Sequence, residues 1–243
     1  MAISYNTDLL NRHIAPGISD FKACDAPDIT DAHPEAEHWL ANHFLNSIFR
    51  SRFKGKVRQY ALNLIFRAQS AFHDYHEARD LTNEFLAKGS PDNPASRLYF
   101  RAVARWESCF LNLQIFMDVM NKMKKDFNDE PVFKAEDGTP EQHAYVIANA
   151  IKHWGSDIAD DRHSDGDTIP LWLTNTGFQT RLHALTYPEL GKLVSEVATV
   201  ADELQDPKSW HKWGTNGVRH LNPELTPYPG IQPHPTTTRP AAS

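Results

Sequence analysis

Apolar residues recur along most of this chain at three- and four-residue steps, the period of one face of an α-helix, and strict alternation is nearly absent. Over 34–52, Trp39, Leu40, Phe44 and Ile48 follow that step with His43 and Ser47. Pro34 takes a tolerated first-turn position, and Glu35 and Glu37 suit the positive end of the helix dipole. Over 57–87, Ala61, Leu64, Ile65, Ala68, Ala71, Phe72, Tyr75 and Ala78 form one stripe, closed by Lys88-Gly89-Ser90-Pro91. Over 95–127, Val103, Trp106, Phe110, Leu113, Met117 and Met120 form a stripe while Leu111, Ile115 and Val119 cover much of the other side. Such a helix is expected to be enclosed by neighbours at its middle. Thr139-Pro140-Glu141-Gln142 predicts a helix start, with Thr as N-cap, Pro at the first position and Gln at the capping-box place. That helix is expected over 140–154, and a last one over 188–205 from Leu190, Leu193, Val194, Val197, Val200, Ala201 and Leu204, with Pro207 ending it.

The segments between and beyond carry less pattern. Residues 1–33 hold scattered apolar positions among Asp, Pro and Gly, which predicts a loosely ordered leader with one short helix. The stretch 155–169 is polar, and Pro170-Leu171-Trp172-Leu173-Thr174 reads as a short strand or extended run. Residues 207–243 form a Pro-rich extended tail. The fold class expected is therefore all-α: a bundle of four to five long amphipathic helices over 34–206, between the leader and the tail.

Composition narrows the function classes. The 243 residues are 40% apolar with a formal net charge of -6, so no global basic field exists to hold nucleic acid, and any such contact must be local. No apolar run approaches the roughly 20 residues of a membrane helix, and the N-terminus lacks a signal-peptide layout, so a soluble cytoplasmic protein is expected. Cys24 and Cys109 lie far apart, which is neither a disulfide framework nor a zinc spacing. Phosphate-loop, dinucleotide, serine-hydrolase-elbow and zinc-protease motifs are missing, and no cofactor is implied.

The stretch Ile147-Ala148-Asn149-Ala150-Ile151-Lys152-His153-Trp154-Gly155 carries the main candidate chemistry. If the helix runs on, Asn149, His153 and Asp157 stack on one face as a polar column. The competing reading makes Lys152 and His153 the cationic last turn of a helix that Gly155 stops. The residues Ala-Asn-Ala-Ile-Lys-His resemble the Arg-Asn-x-x-x-His signature of HEPN domains, with Asn149 and His153 at the matching places. The resemblance implies an all-α bundle over roughly 34–205 that pairs as a homodimer, here through the helices bearing Trp106 to Met120 and Asn149 to His153. It further implies either an interaction module in a toxin or phage-defence setting, with RNA or protein as partner, or a metal-independent ribonuclease. Ala148 stands where the family has its arginine, so Lys152 would have to supply charge stabilisation beside His153 as acid or base and Asn149 as positioning group.

Other clusters are weaker. Arg50, Arg52, Lys54, Lys56 and Arg58 surround Phe53 at a helix-to-helix turn and form the one segment suited to phosphate contacts. Arg67 and His73 share a long helix but lie some 120° apart around it, and are expected at edges. Glu35 with His38 is a single pair at metal-ligand spacing, and no second pair accompanies it, so no metal site is expected.

Overall fold

The computed structural model describes residues 7–50, 53, 55–89, 95–126, 129–162 and 168–208. Its helices are α1 (Thr7–His13), α2 (Trp39–Arg50), α3 (Gly55–Lys88), α4 (Ser96–Asp126), α5 (Pro140–Ala159) and α6 (Tyr187–Gln205). A three-stranded antiparallel meander, β1 (Trp172–Leu173), β2 (Gly177–Gln179) and β3 (Ala184–Thr186), lies between α5 and α6. The expected all-α bundle is what forms. The extended tail lies outside the described residues from position 209 on.

The long helices α3 and α4 run antiparallel, and the rest of the molecule packs on that pair. Their polar seam reads in opposite directions along the two helices. Thr82 Oγ1 receives Trp106 Nε1–H at 3.0 Å, Asp74 receives Asn112 Nδ2–H at 3.0 Å, and Asp126 receives the Tyr60 hydroxyl at 2.8 Å. Around Trp106 the apolar stripes merge into one aromatic cluster. Tyr75 meets its ring edge-on at 5.4 Å, and Phe178 does so at 4.8 Å. Phe178 also packs on Phe110 and Tyr187. Each such side chain stabilises the fold by about 1.5–3 kcal/mol through burial, with a further increment for edge-to-face contact. The stripe from Trp106 to Met120 is consumed by this core, since Trp106, Phe110, Leu113, Met117 and Met120 are all buried within the chain itself.

The leader is more ordered than its composition predicts. After α1 it crosses α3 and α6 as an extended strap with Ile18, Phe21, Ala26 and His33 buried. Phe21 stacks on Phe85 at 5.9 Å, Pro27 O accepts the Tyr75 hydroxyl at 2.8 Å, and Ala26 O accepts Arg79 Nε–H at 3.0 Å. These bonds satisfy carbonyls that an extended strap cannot satisfy internally, which is why a segment without periodicity still docks. The helix expected from Pro34 begins at Trp39, preceded by a 3-10 turn at Ala36–His38.

Helix ends follow their caps. Thr139 Oγ1 accepts the Gln142 N–H, although Gln142 turns its own side chain to the Gly138 N–H instead of closing the expected reciprocal box. Thr186 and Glu189 form a complete capping box, so α6 starts at Tyr187, one residue before the expected start at 188. The sheet is tied in by Phe178 and by the Tyr99 hydroxyl, which accepts the Leu173 N–H at 3.2 Å. Among the described residues no helix is long and apolar enough to cross a membrane.

Two outcomes follow from this packing. A Cβ at Gly191 of α6 would lie 2.5 Å from Pro27 Cγ and 2.9 Å from the Tyr75 hydroxyl oxygen. Gly191→Ala should therefore push the strap outward and lower the melting temperature by roughly 2–12 °C through overpacking, as calorimetry would show. His43 is buried between α2 and the end of α6, where its Nδ1–H donates to Leu204 O at 3.3 Å, and burial holds its pKa below the ordinary 6.5. As pH falls below about 6.5 the unfolded chain takes up this proton before the folded one does. Stability should accordingly decline from pH 7 toward pH 5, and His43→Gln should flatten that decline in denaturant titrations.

Candidate functional site

Helix α5 settles which reading of the Asn149 stretch holds. It does not stop at Gly155 but keeps helical backbone through Ala159, and the left-handed turn falls at Asp161 with φ 53°. Lys152 and His153 therefore lie well inside the helix, and the expectation of a cationic last turn closed by Gly155 is corrected. The reason is local: Asp160 N–H bonds back to Ser156 O and Arg162 N–H to Asp157 O, so the closing turn is built five residues further on. Asn149, His153 and Asp157 consequently stand one turn apart on one face.

The opposing wall comes from the hairpin of β2 and β3. Its connection, Thr180–His183, is locked by Thr180 N–H donating to His183 O at 2.8 Å and by His183 N–H donating to Thr180 Oγ1 at 3.0 Å. Thr180 is buried beneath, which leaves Arg181 and Leu182 projecting outward and His183 half-buried. Between hairpin and helix lies an open cleft of about 400 Å³, walled by Asn149, His153 and Asp157 on one side and by Arg181, Leu182 and His183 on the other, with Arg162 at one end.

The charges in this cleft are arranged rather than scattered. Arg162 spans Asp157 at 3.3 Å and Asp160 at 2.9 Å, so part of its charge is already compensated. Arg181 donates from Nη1 to the Arg162 carbonyl and, among the described residues, has no carboxylate partner, leaving most of its planar fork for an incoming acceptor. Burial, and secondarily the neighbouring His143, lowers the pKa of His183, which favours the neutral imidazole at neutral pH. His153 is exposed and makes no hydrogen bond among the described residues. Asn149 is anchored from behind, its Oδ1 accepting Gln114 Nε2–H of α4 at 2.6 Å, so its orientation is fixed by the core. Together these groups could bind an oxyanion and shift a proton beside it.

Position 148 is decisive for the missing arginine. Ala148 is fully buried, facing the core rather than the cleft, so a guanidinium there would meet packed side chains. Lys152 is exposed and forms no part of the cleft wall, and the cations that do are Arg162 and Arg181. Neither was singled out from the sequence, because a loop and a hairpin tip carry no periodic signal that would bring them to α5.

The basic turn is only partly within the described residues. Arg52 and Lys54 lie outside them, as does the side chain of Arg50. Lys56 and Arg58 are exposed at the start of α3, and Lys56 pairs with Asp126 at 3.6 Å while Phe53 is buried. Arg67 is half-buried: its Nη1 donates to Asn112 Oδ1 at 2.9 Å, and it lies over the Phe66 ring. His73 is exposed. No set of three metal-ligating side chains is grouped among the described residues. Comparison with known proteins finds no matching protein-family model, no matching curated protein and no matching solved structure.

Proposed function

We propose that this chain is a HEPN-like interaction module whose cleft on α5 takes a phosphate-bearing partner, RNA foremost. The observation that supports this reading is the placement of Arg162, Arg181 and His183 around the Asn149–His153–Asp157 face, within one chain. A planar guanidinium with uncommitted donors is suited to bidentate recognition of phosphate. The overall charge of -6 confines such attraction to this local group. Leu182, 71% exposed, lines the cleft and offers an apolar edge on which a second copy or a protein partner could seat. The toxin or phage-defence setting implied by the resemblance, and a cytoplasmic location, belong to the same reading.

A second reading, a metal-independent ribonuclease, is favoured by one specific feature. His153 and His183 face the same cleft, and the second is biased toward its neutral form, so one could accept a proton while the other donates. In this version Arg181 takes the role of stabilising charge, and Asn149 positions the substrate.

Fluorescence anisotropy with a labelled single-stranded RNA tests the binding reading. Arg181→Ala should weaken binding roughly tenfold or more, the contribution of a charge-assisted hydrogen bond pair, and affinity should fall steeply with salt. If the double variant Lys56→Ala with Arg58→Ala weakens binding more than Arg181→Ala does, the site is the basic turn and the cleft reading fails. For the enzymatic reading, RNA cleavage by wild type should drop by about 10²–10⁴-fold in His153→Ala, the usual contribution of acid–base catalysis. Equal cleavage in both, or none in either, removes it.

A further inference from the structure

Away from the α5 cleft, the strap and α6 bring together a histidine, a carboxylate and a hydroxyl that are distant in sequence. His33 Nδ1 lies 2.7 Å from Asp202 Oδ2, and His33 Nε2 lies 2.9 Å from Ser195 Oγ. The carboxylate can only accept, so Nδ1 carries a proton, and in the neutral imidazole Nε2 is the acceptor for the serine hydroxyl. The second carboxylate oxygen, Oδ1, accepts Trp39 Nε1–H at 2.5 Å, which fixes Asp202 against rotation. The imidazole is 5% exposed and is held edge-on to Trp39 and Phe72 at ring distances of 6.1 and 5.8 Å, so its tautomer and orientation are both set by its surroundings. Ser195 and Asp202 are seven residues apart in α6, two turns along one face, which is what lets a single side chain from the strap bridge them.

We propose that Ser195 is an activated nucleophile, with His33 as its base and Asp202 as the group that orients His33, acting on small carboxylic esters. The relation among the three is the one that activates serine on unrelated folds, where roles and geometry, not sequence order, define the unit. Ser195 is half-buried and the Asp202 side chain is 32% exposed, so in this assignment a small acyl group would approach the hydroxyl from the α6 surface. The larger cleft of about 870 Å³ between strap and α3 is lined by His33 but not by Ser195. In the reaction, Ser195 Oγ bonds to the acyl carbon as its proton passes to His33 Nε2. The bond to the alcohol breaks and the alcohol leaves with that proton. Water then attacks the acyl carbon, giving a proton to Nε2. The bond to Ser195 Oγ breaks, the proton returns to the serine, and a carboxylic acid is released.

The site differs from an efficient hydrolase in one respect. Ser195 is in mid-helix, so its N–H is committed to the helix ladder and cannot receive the developing oxyanion. Lys192, one turn earlier and 76% exposed at its side chain, with Glu196 at 3.8 Å, is the cation that α6 offers on that flank. Slow turnover with ready covalent capture is the expected behaviour.

The test is incubation of the full chain with an alkyl fluorophosphonate, followed by intact-mass measurement and peptide mapping. A single adduct on the peptide bearing Ser195 is expected, together with hydrolysis of 4-nitrophenyl acetate that is abolished in proportion to labelling. Ser195→Ala should take no adduct. His33→Gln and Asp202→Asn should each label at least about tenfold more slowly, and Asp202→Asn retains an acceptor for Trp39 should the buried His33 variant fail to fold. Wild type that remains unlabelled, an adduct on another residue, or unchanged labelling in folded Asp202→Asn would each overturn the assignment and leave the trio as a clasp for the strap.

Discussion

The structure depends on one constraint, the burial of the apolar stripes of α3 and α4 against each other along most of their length. At 1.5 Å per residue the 34 residues of α3 extend about 50 Å, a rod whose stability comes mainly from packing its apolar stripe. Its partner α4 covers much of the apolar stripe, and α6, α2 and the strap cover more of it, while Phe178 of the small sheet packs on α4 and α6. Because Trp106 is fully enclosed, each element that meets it must arrive at a fixed height along the pair. That requirement sets where β2 enters and where α6 begins, and through them where the hairpin tip at Thr180–His183 meets α5.

Most polar groups inside this packing are handled by pairing. Thr82, Gln114, His33 and His43 are buried, and each has a partner from another element or from its own helix: Trp106, Asn149, Asp202 and Leu204 for the cross-element bonds. A buried hydroxyl, amide or imidazole left unpaired costs about 1–3 kcal/mol, so these bonds select one register of strap, α2 and α6 over its neighbours. The same bonds give the molecule its chemistry. Gln114 orients Asn149 toward the cleft, and Asp202 orients His33 toward Ser195.

The cleft on α5 shows why a motif and a site are different things. The column of Asn149, His153 and Asp157 is a local property of helical spacing. The counter-charge is not local: it arrives on Arg162, from the turn after α5, and on Arg181, from a hairpin tip. Ala148, the place where the resembled signature has arginine, faces the core, so in this chain a cation at that position could not serve the column whatever its identity.

Much of the fold was legible in the pattern of residues. The stripe from Ala61 to Ala78 and the stripe from Val103 to Met120 each predicted a helix that formed to within two residues at either end, and Thr139-Pro140 marked the start of α5, since helical periodicity and caps are written in neighbours. The course of α5 beyond Gly155 was not legible, because glycine permits a stop without enforcing one, and the closing bonds come from Ser156, Asp157 and Asp161. Nor was the docking of the leader, whose Phe21, Pro27 and His33 have no period and acquire meaning only against Phe85, Tyr75 and Asp202. The sequence by itself determined which segments become rods and which faces of them avoid water. Tertiary structure alone decided which polar groups meet across them, because such pairings, up to the 169 positions between His33 and Asp202, are set by rigid packing rather than by spacing along the chain.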